Sequence, residues 1–322
     1  MRALVQEGYG SADALHLREI ERPDVSEGRV LVRVRAASIN ALDWHAVHGM
    51  LVLRAISTLM RQKDEPVRGV DLAGIVEAVG PNVTRFAPGD EVFGGAPAAF
   101  AEYARAREDR LAPKPRNASF EQAASVGVAG RTALQGLRDV AQVKPGQRVL
   151  VNGAGGGVGT FAVQIAKALG AHVTAVTSTR NLDLVRSLGP DAVVDYKKED
   201  FARSGERYDA VFDVAANRSI SDLRRVLAPN GILVLAGADK RGGIAIFLRI
   251  GSAFVRLRLL KQRIKFFVAD PNLEDLVVLK ELIEAGKVCP AIDRTYPLSE
   301  GVEALRYVGT GQARAKVVLT ID

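Results

Sequence analysis

The chain has 322 residues, 48% of them hydrophobic and 25% charged, and its formal net charge at pH 7 is +7. This length exceeds that of a typical domain, so we expect two domains, each with a substantial core. The single cysteine, Cys289, excludes an intrachain disulfide framework and a thiolate metal cluster.

The N-terminal part of the chain has mainly strand-like patterns. Residues 30–35 alternate between apolar and polar, and residues 74–80, 91–93 and 99–106 form further short apolar runs. We therefore expect a β-rich domain over residues 1–118. The pattern of residues 50–66 is vague, and we expect a loop with some helix there, over a site.

Beyond Pro113 and Pro115 the pattern changes. Ser119 and Gln122 form a capping box that predicts the start of a helix. Strand-like and helix-like segments then alternate, which predicts a parallel, doubly wound sheet. The predicted strands are 148–152, 172–177, 192–195, 208–214, 232–236 and 265–268, and helices are predicted at 130–139, 159–169, 181–188, 219–228 and 272–285. The tail returns to β character at 294–297 and 316–321, around a helix at 299–308, and we expect it to pack on the first domain.

A glycine-rich turn lies between the first of these strands and its helix. Its sequence, Gly-Ala-Gly-Gly-Gly-Val-Gly, runs from residue 153 to residue 159. Glycines permit a tight turn and a close approach of the backbone to a pyrophosphate, which the helix N-terminus then binds. The turn predicts a dinucleotide site at Gly153, Gly155, Gly156, Gly157, Val158 and Gly159.

These features resemble the medium-chain dehydrogenase/reductase superfamily, and the chain is similar to its zinc-independent quinone oxidoreductase, or zeta-crystallin-like, branch. The resemblance is carried by residues 37–40 (ASIN), 69–74 (GVDLAG), 86–93 (FAPGDEVF), 153–159 (GAGGGVG) and 296–298 (YPL). It implies an α/β fold with a GroES-like catalytic domain over 1–118, completed by 290–322, and a Rossmann NADPH-binding domain over 119–289. It also implies a homodimer, which we expect to form through the sheet edge near 232–238.

The resemblance implies that zinc alcohol dehydrogenases have a cysteine near positions 37–40 and Gly-His-Glu near 69–71. This chain has no cysteine in the first region and Gly69-Val70-Asp71 in the second. A catalytic zinc needs about three ligands, so we predict no metal site. His45 and His48 could share a helix face, but without further ligands a packing or surface role is favoured over metal binding. Alcohol oxidation through a zinc alkoxide is then disfavoured.

Hydride transfer without a metal suits quinones and α,β-unsaturated carbonyl compounds, which are already electrophilic. Asn40 matches a family residue beside the nicotinamide, with a turn asparagine as the alternative. We predict catalytic roles for Asn40, Asp43 and His45, with His45 as a candidate proton donor and solvent as the alternative. Thr132 matches a threonine of the nicotinamide site, and its neighbour Arg131 suits either an ion pair or a substrate contact.

Cofactor preference depends on the end of the second strand, where NAD-binding proteins usually have an acid. Here the sequence is Thr-Ser-Thr-Arg, whose hydroxyls and guanidinium suit a 2′-phosphate. We therefore predict NADPH. The predicted contacts are Ser178, Arg180, Ala236 and Phe267 and, from the resemblance, Tyr196 and Lys316. The residue before Lys316 is Ala315, where the family would lead us to expect glycine.

Eight basic residues and no acid lie between positions 240 and 269, so the rest of the chain sums to −1. This local charge argues against a protein that coats nucleic acid generally. Residues 249–265 would form a basic amphipathic helix, which either associates weakly with anionic membranes or is simply solvated. The sequence has no long apolar run, so we predict a cytoplasmic protein.

The leading hypothesis is an NADPH-dependent reductase of quinones or conjugated carbonyls. One alternative is an alcohol dehydrogenase. The other is an NADPH-binding or sensing protein without turnover, which would contact RNA or membrane through residues 240–265.

Overall fold

The computed structural model describes residues 1–49, 67–236 and 263–322. The chain divides into two compact units. The first contains residues 1–131, 270–286 and 290–322, and the second contains residues 132–269 and 287–289. The predicted loop at 50–66 and residues 240–262, most of the basic stretch, lie outside the described residues.

The first unit is built on an antiparallel hairpin and a seven-stranded sheet. The hairpin pairs β1 (Arg2–Gln6) with β2 (Leu15–Glu19). The sheet has the order β14-β15-β3-β4-β5-β7, and β6 also pairs with β3. Its strands are β3 (Arg29–Ile39), β4 (Asp71–Val79), β5 (Glu91–Gly95), β6 (Tyr103–Arg107), β7 (Leu111–Pro113), β14 (Ile292–Pro297) and β15 (Lys316–Thr320).

Helices surround this sheet in the first unit. They are α1 (Ala41–Val47), α2 (Phe120–Ala124), the first part of α3 (Gly127–Gln135), α7 (Leu273–Glu284) and α8 (Gly301–Thr310). The core is aliphatic with a few aromatic side chains, and Phe100 is 1% exposed within it. The capping box of Ser119 and Gln122 is present at the start of α2, as predicted.

The second unit is a parallel, doubly wound sheet of six strands in the order β10-β9-β8-β11-β12-β13. The strands are β8 (Arg148–Asn152), β9 (His172–Thr177), β10 (Ala192–Asp195), β11 (Tyr208–Asp213), β12 (Leu227–Leu235) and β13 (Arg263–Phe266). Its helices include α4 (Gly157–Ala168), α5 (Leu182–Ser187) and α6 (Ile220–Arg225). The predicted fold class, a β-rich GroES-like domain with a Rossmann domain, is confirmed.

The domain boundaries differ from the predicted ones at two places. Residues 119–131 and 270–286 belong to the first unit rather than to the dinucleotide-binding one. The reason is packing: α2 lies against β3, β4 and β5, and α7 lies against β7. Adding a Cβ to Gly94 would bring it 3.1 Å from a methyl group of Leu276, which shows how closely α7 approaches that sheet.

Two predicted elements of the second unit are also corrected. The helix predicted at 219–228 ends at Arg225, because Leu227 is buried and pairs with Tyr208 at the start of β12. Residues 263–265, the end of the predicted basic amphipathic helix, lie in strand β13, while residues 249–262 are outside the described part. Strand β12 has β11 on one side and β13 on the other, so the predicted sheet edge near 232–238 is wrong for 232–235.

None of the helices within the described ranges is long and apolar enough to cross a membrane.

Candidate active site and dinucleotide loop

Strand register brings three chain segments together in the first unit. Ser38, near the end of β3, is paired with Asp71 at the start of β4, and Ile39 is paired with Val317 at the start of β15. The polar residues that flank these pairs, Asn40 and Lys316, therefore meet although 276 positions separate them. All of these polar side chains are buried.

The carboxylate of Asp71 is the centre of this cluster. It accepts hydrogen bonds from Asn40 Nδ2 at 3.0 Å and, through both oxygens, from the backbone N–H of Val128 at 3.0 Å, and Ser38 Oγ lies 3.4 Å away, at the limit of a hydrogen bond. Val128 lies in the first turn of α3, where free N–H groups and the helix dipole stabilise an anion. A Cβ on Gly127 would lie 2.1 Å from Asp71 Oδ1, so glycine is needed for this approach.

Asn40 lies between two charged side chains. Its Nδ2 donates to Asp71, and its Oδ1 accepts from Lys316 Nζ at 2.6 Å. The prediction that Lys316 contacts the cofactor stays a prediction, since its ammonium is hydrogen-bonded to Asn40 and only 2% of the residue is exposed. Burial lowers the pKa of Lys316, and the carboxylates of Asp71 and Asp43 oppose that shift.

Asp43 and His45 follow Asn40 on α1, and both are buried. The Asp43 carboxylate accepts the backbone N–H of Asn40 at 2.8 Å, which ties the start of the helix to the cluster. Burial raises the pKa of Asp43 to about 7, against the hydrogen bond from Asn40 and with a further contribution from the nearby Asp71. Asp43 is therefore a group that exchanges a proton near neutral pH.

The two histidines flank Trp44. The ring of His48 stacks on it with centroids 3.9 Å apart, and the ring of His45 meets it edge-on at 5.0 Å. No group of three His, Cys, Asp or Glu residues suited to a metal ion is found within residues 1–49, 67–236 and 263–322.

Arg131, which the sequence left open between an ion pair and a substrate contact, is 3% exposed. Its Nε donates to the carbonyl of Gly127 at 2.9 Å, and its Nη1 has no hydrogen-bond partner among the described residues. Burial lowers its pKa, while the negative charge of Asp71 raises it. Arg131 thus adds a second buried positive charge near Asp71.

Ala315 has a backbone φ of +44°, in the left-handed region. A residue with a Cβ is strained there, whereas glycine is not. This explains why glycine is the expected residue before Lys316. The contact of Lys316 with Asn40 is nevertheless formed.

In the second unit, the predicted loop connects β8 to α4. Gly156 is the N-cap of α4 and provides no side chain for capping, so the first N–H groups of the helix are left for another acceptor. Gly153 has a φ of +94°, and a Cβ on Gly155 would lie 2.4 Å from Asn181 Nδ2. The Oδ1 atom of Asn181 is buried and has no hydrogen-bond partner within the described chain. An uncapped helix, a glycine turn and an orphan acceptor fit a pyridine dinucleotide.

The predicted 2′-phosphate residues lie at the ends of β9 and β10. Ser178 and Arg180 follow β9, and Tyr196 follows β10, its N–H donating to Thr177 O at 3.0 Å. The register also brings Asp195 beside Thr177. The prediction of NADPH considers only the residues that directly follow β9, where no acid occurs, and it does not take account of this carboxylate from β10.

Asp195 accepts from the Thr179 hydroxyl at 2.6 Å. That bond, together with the N–H of Lys197, holds the pKa of Asp195 below its usual value in spite of its burial. The carboxylate is therefore ionised, and its hydrogen bonds fix the turn that carries Arg180.

Three other predicted contacts are placed individually. Ala236 follows β12, and its N–H donates to Asp213 O at 3.0 Å. The ring of Phe267 lies beside Gly136, whose added Cβ would be 3.1 Å from it. Thr132 is half-buried in α3, one turn after Val128.

Sequence reasoning missed Asp71, Gly127 and Ser38 as members of the cluster and Asp195 at the strand ends. One signal was available: Asp71 is a charged residue at the start of an otherwise apolar strand. A charge in that position requires partners.

Comparisons with known proteins agree with this geometry. The model of the alcohol dehydrogenase GroES-like domain matches residues 26–116, and the zinc-binding dehydrogenase model matches residues 188–319. The chain belongs to the medium-chain dehydrogenase/reductase superfamily.

Individual relatives identify the branch. The chloroplastic quinone-oxidoreductase QR1 of Triphysaria versicolor is 34% identical, over 99% of this chain and 98% of the relative. The chloroplastic NADPH-dependent alkenal/one oxidoreductase of Arabidopsis thaliana is 33% identical, over 99% and 79% respectively. The structure of the quinone oxidoreductase from Coxiella burnetii is similar with a TM-score of 0.86 and 30% identity, over 100% of this chain and 99% of that one. Within the superfamily, the chain belongs to the quinone oxidoreductase branch.

Proposed function

We propose that this chain is a zinc-independent, NADPH-dependent oxidoreductase that transfers hydride to a quinone or an α,β-unsaturated carbonyl compound. One observation carries the proposal. Asn40 and Asp71 occupy the two regions in which zinc-dependent relatives would have ligands, and here their side chains are hydrogen-bonded to each other. Both are thus engaged in a polar cluster that can stabilise negative charge on an acceptor.

A bound reduced nicotinamide supplies the hydride. The glycine turn and the N-terminus of α4 would hold its pyrophosphate. In a conjugated acceptor, hydride adds to carbon while the electron pair moves onto the carbonyl oxygen, which then needs a hydrogen-bond donor. The Asn40 carboxamide is the proposed donor. His45 and solvent both stay candidates for the proton that completes the reduction.

Acceptor class is tested by following NADPH oxidation with matched pairs, such as cyclohexenone and cyclohexanone, alongside simple quinones. We expect turnover of the enone and the quinones and little or none of the saturated ketone, because a conjugated acceptor is more electrophilic and takes up hydride with less activation of its oxygen. Activity should survive dialysis against a chelator. Oxidation of simple alcohols would contradict the proposal, and tight NADPH binding without turnover of any acceptor would favour a sensing protein instead.

The preference for NADPH over NADH is part of the proposal. Its support is Arg180, placed directly after β9 on a turn fixed by the bond between Thr179 and Asp195. The name of the Arabidopsis relative adds support, since it specifies NADPH.

Replacing Arg180 with alanine should weaken NADPH binding by about 10-fold or more, the value of a charge-assisted hydrogen bond. Binding of NADH should not change. Fluorescence titration of both cofactors measures this. Arg186→Ala is a matched control, because that arginine is also exposed and lies on α5, away from the strand ends, where it is paired with Asp183. An equal loss of affinity for both cofactors, or no loss of affinity for either, would contradict the assignment.

We also propose a homodimer. The support is the exposed edge strand β13, which within the described residues has β12 as its sheet neighbour and carries Phe266 with 46% exposure. Weak membrane association through 249–265 and a cytoplasmic location stay predictions.

A further inference from the structure

The carboxamide of Asn40 is held at both ends by buried side chains of opposite charge. Lys316 Nζ donates to Oδ1 at 2.6 Å, and Nδ2 donates to Asp71 Oδ2 at 3.0 Å. An ammonium can only donate and an ionised carboxylate can only accept. The amide therefore has one orientation, with its oxygen toward Lys316.

Asp71 is itself fixed in place. Both of its oxygens accept the Val128 N–H at the start of α3, and Gly127 leaves the room for this approach. The amide end that bonds Asp71 is thus anchored to a helix rather than to a flexible side chain.

Lys316 has no other hydrogen-bond acceptor in the part of the chain that the structure describes. Burying an ammonium is costly, and the Lys316 charge is compensated by this one amide oxygen and by the charges of Asp71 and Asp43. A costly buried charge that contacts a candidate catalytic side chain points to a functional role rather than to stability alone.

One N–H of the Asn40 amide is left for a ligand. The first hydrogen of Nδ2 is directed to Asp71, and the second has only the carbonyl of Ser38 at 3.4 Å, which is at the limit of a hydrogen bond. The positive charge of Lys316 lies next to the amide oxygen and draws electron density from the amide nitrogen. This N–H therefore becomes a stronger hydrogen-bond donor.

We propose that Lys316 and Asp71 are positioning residues that orient and polarise the Asn40 carboxamide, so that its second N–H stabilises the oxygen on which negative charge develops in the acceptor. This inference rests on the proposed function. It assigns to Lys316 a role that acts through Asn40.

The test is a kinetic comparison of Lys316→Met, which keeps the apolar stem and removes the donor. We expect kcat to fall on the order of 10- to 100-fold with little change in KM, because the interaction gains strength as the oxyanion develops. The loss should be larger for weakly electrophilic enones than for quinones, which need less stabilisation. A loss that is equal for all acceptors, or no loss, would overturn the inference.

Lys114→Met provides the matched control. The Lys114 side chain is also largely buried in the first unit, where it donates to Ala118 O at 2.8 Å, but it is not part of the cluster. The ratio of its kcat to that of the wild type should be the same for every acceptor. If Lys316→Met does not fold, Lys316→Gln keeps a hydrogen-bond donor and removes only the charge, and we expect a smaller loss of kcat with the same dependence on the acceptor.

A readout without turnover separates this inference from the proposed function. The side-chain amide of Asn40, assigned by its loss in Asn40→Asp, should change its ¹⁵N chemical shift in Lys316→Met. An unchanged shift would overturn the inference even in an active enzyme. If the wild type reduces no acceptor, the proposed function fails whatever the shift shows.

Discussion

As pH rises from about 4 to about 7, Asp43 is expected to lower the free energy of unfolding by up to about 4 kcal/mol. Burial raises the pKa of this carboxyl to about 7 in the folded protein, against the ordinary 3.8. Between these values the folded protein keeps a proton that the unfolded chain has lost, so stability falls with pH. Above about 7 the full cost of the buried charge is present, and the contribution becomes constant. The upper figure follows from 1.36 kcal/mol for each unit of pKa difference.

Asp43→Asn should remove this dependence. The amide oxygen can still accept the N–H of Asn40 but carries no charge. Urea unfolding at pH 5, 6, 7 and 8 should therefore show the variant becoming more stable than the wild type as pH rises. The lowered pKa of Lys316 acts in the opposite direction, with stability rising as pH increases toward 10.5. Because Asp43 raises the pKa of Lys316, the difference between the two proteins reports Asp43 together with its effect on Lys316.

Asp191→Asn is the control for this experiment. Asp191 is exposed, and its hydrogen bond with Lys167 holds its pKa below the usual value, so it does not titrate above pH 5. The free energy of unfolding of this variant should change with pH in the same way as that of the wild type from pH 5 to pH 8. If the free energy of unfolding of Asp43→Asn also changes with pH as it does in the wild type, Asp43 is ionised in the folded protein over this whole pH range.

The Rossmann unit was accessible from sequence because its signals are local. Strands 172–177 and 192–195 were predicted with their observed bounds, since each is a short apolar run limited by turn residues. The N-cap of α7 was equally local: the side chain of Asn272 accepts the N–H of Asp275 at 2.8 Å. Interactions between residues three positions apart, such as this N-cap, can be predicted from a single sequence.

The candidate site was accessible only in part. The resemblance selects Asn40 and Lys316 singly, and Asp43 is selected because it follows Asn40 in the chain, but nothing in the sequence predicts the mutual contact of the three. That contact depends on the register of β3 against β4 and β15, which periodicity does not specify across such separations. Asp195 was missed for the same reason, because a pairing with β9 brings it beside Thr177.

Two glycines of the turn should differ in how alanine affects stability, although both substitutions should weaken NADPH binding, and the pair tests the dinucleotide site directly. A Cβ on Gly159 would lie 2.1 Å from Gly153 O and 2.8 Å from the Cα of Ala154, both of them backbone atoms that cannot step aside. Gly159→Ala should therefore shift the turn, at a cost of about 2–3 kcal/mol in the free energy of unfolding. With the turn displaced, NADPH affinity should fall by about 100-fold.

Gly156 separates ligand binding from folding. Its φ of −93° and ψ of 174° suit any residue, and the nearest atom to an added Cβ is 3.6 Å away. Gly156→Ala should keep the wild-type free energy of unfolding to within about 0.5 kcal/mol. The methyl group would nevertheless occupy the space through which a pyrophosphate approaches the N-terminus of α4, so NADPH binding should weaken about 10-fold or more.

Urea unfolding and NADPH titration of both variants distinguish the possible causes. If the turn is a dinucleotide site, Gly156→Ala should be as stable as the wild type but should bind NADPH more weakly, because the added methyl group only blocks the approach of the pyrophosphate. Wild-type affinity in that variant would mean that no phosphate approaches the backbone there, and the glycines would then serve the turn alone. Loss of stability in Gly159→Ala would still be expected in that case, because it follows from the contact with Gly153 O whether or not a ligand binds.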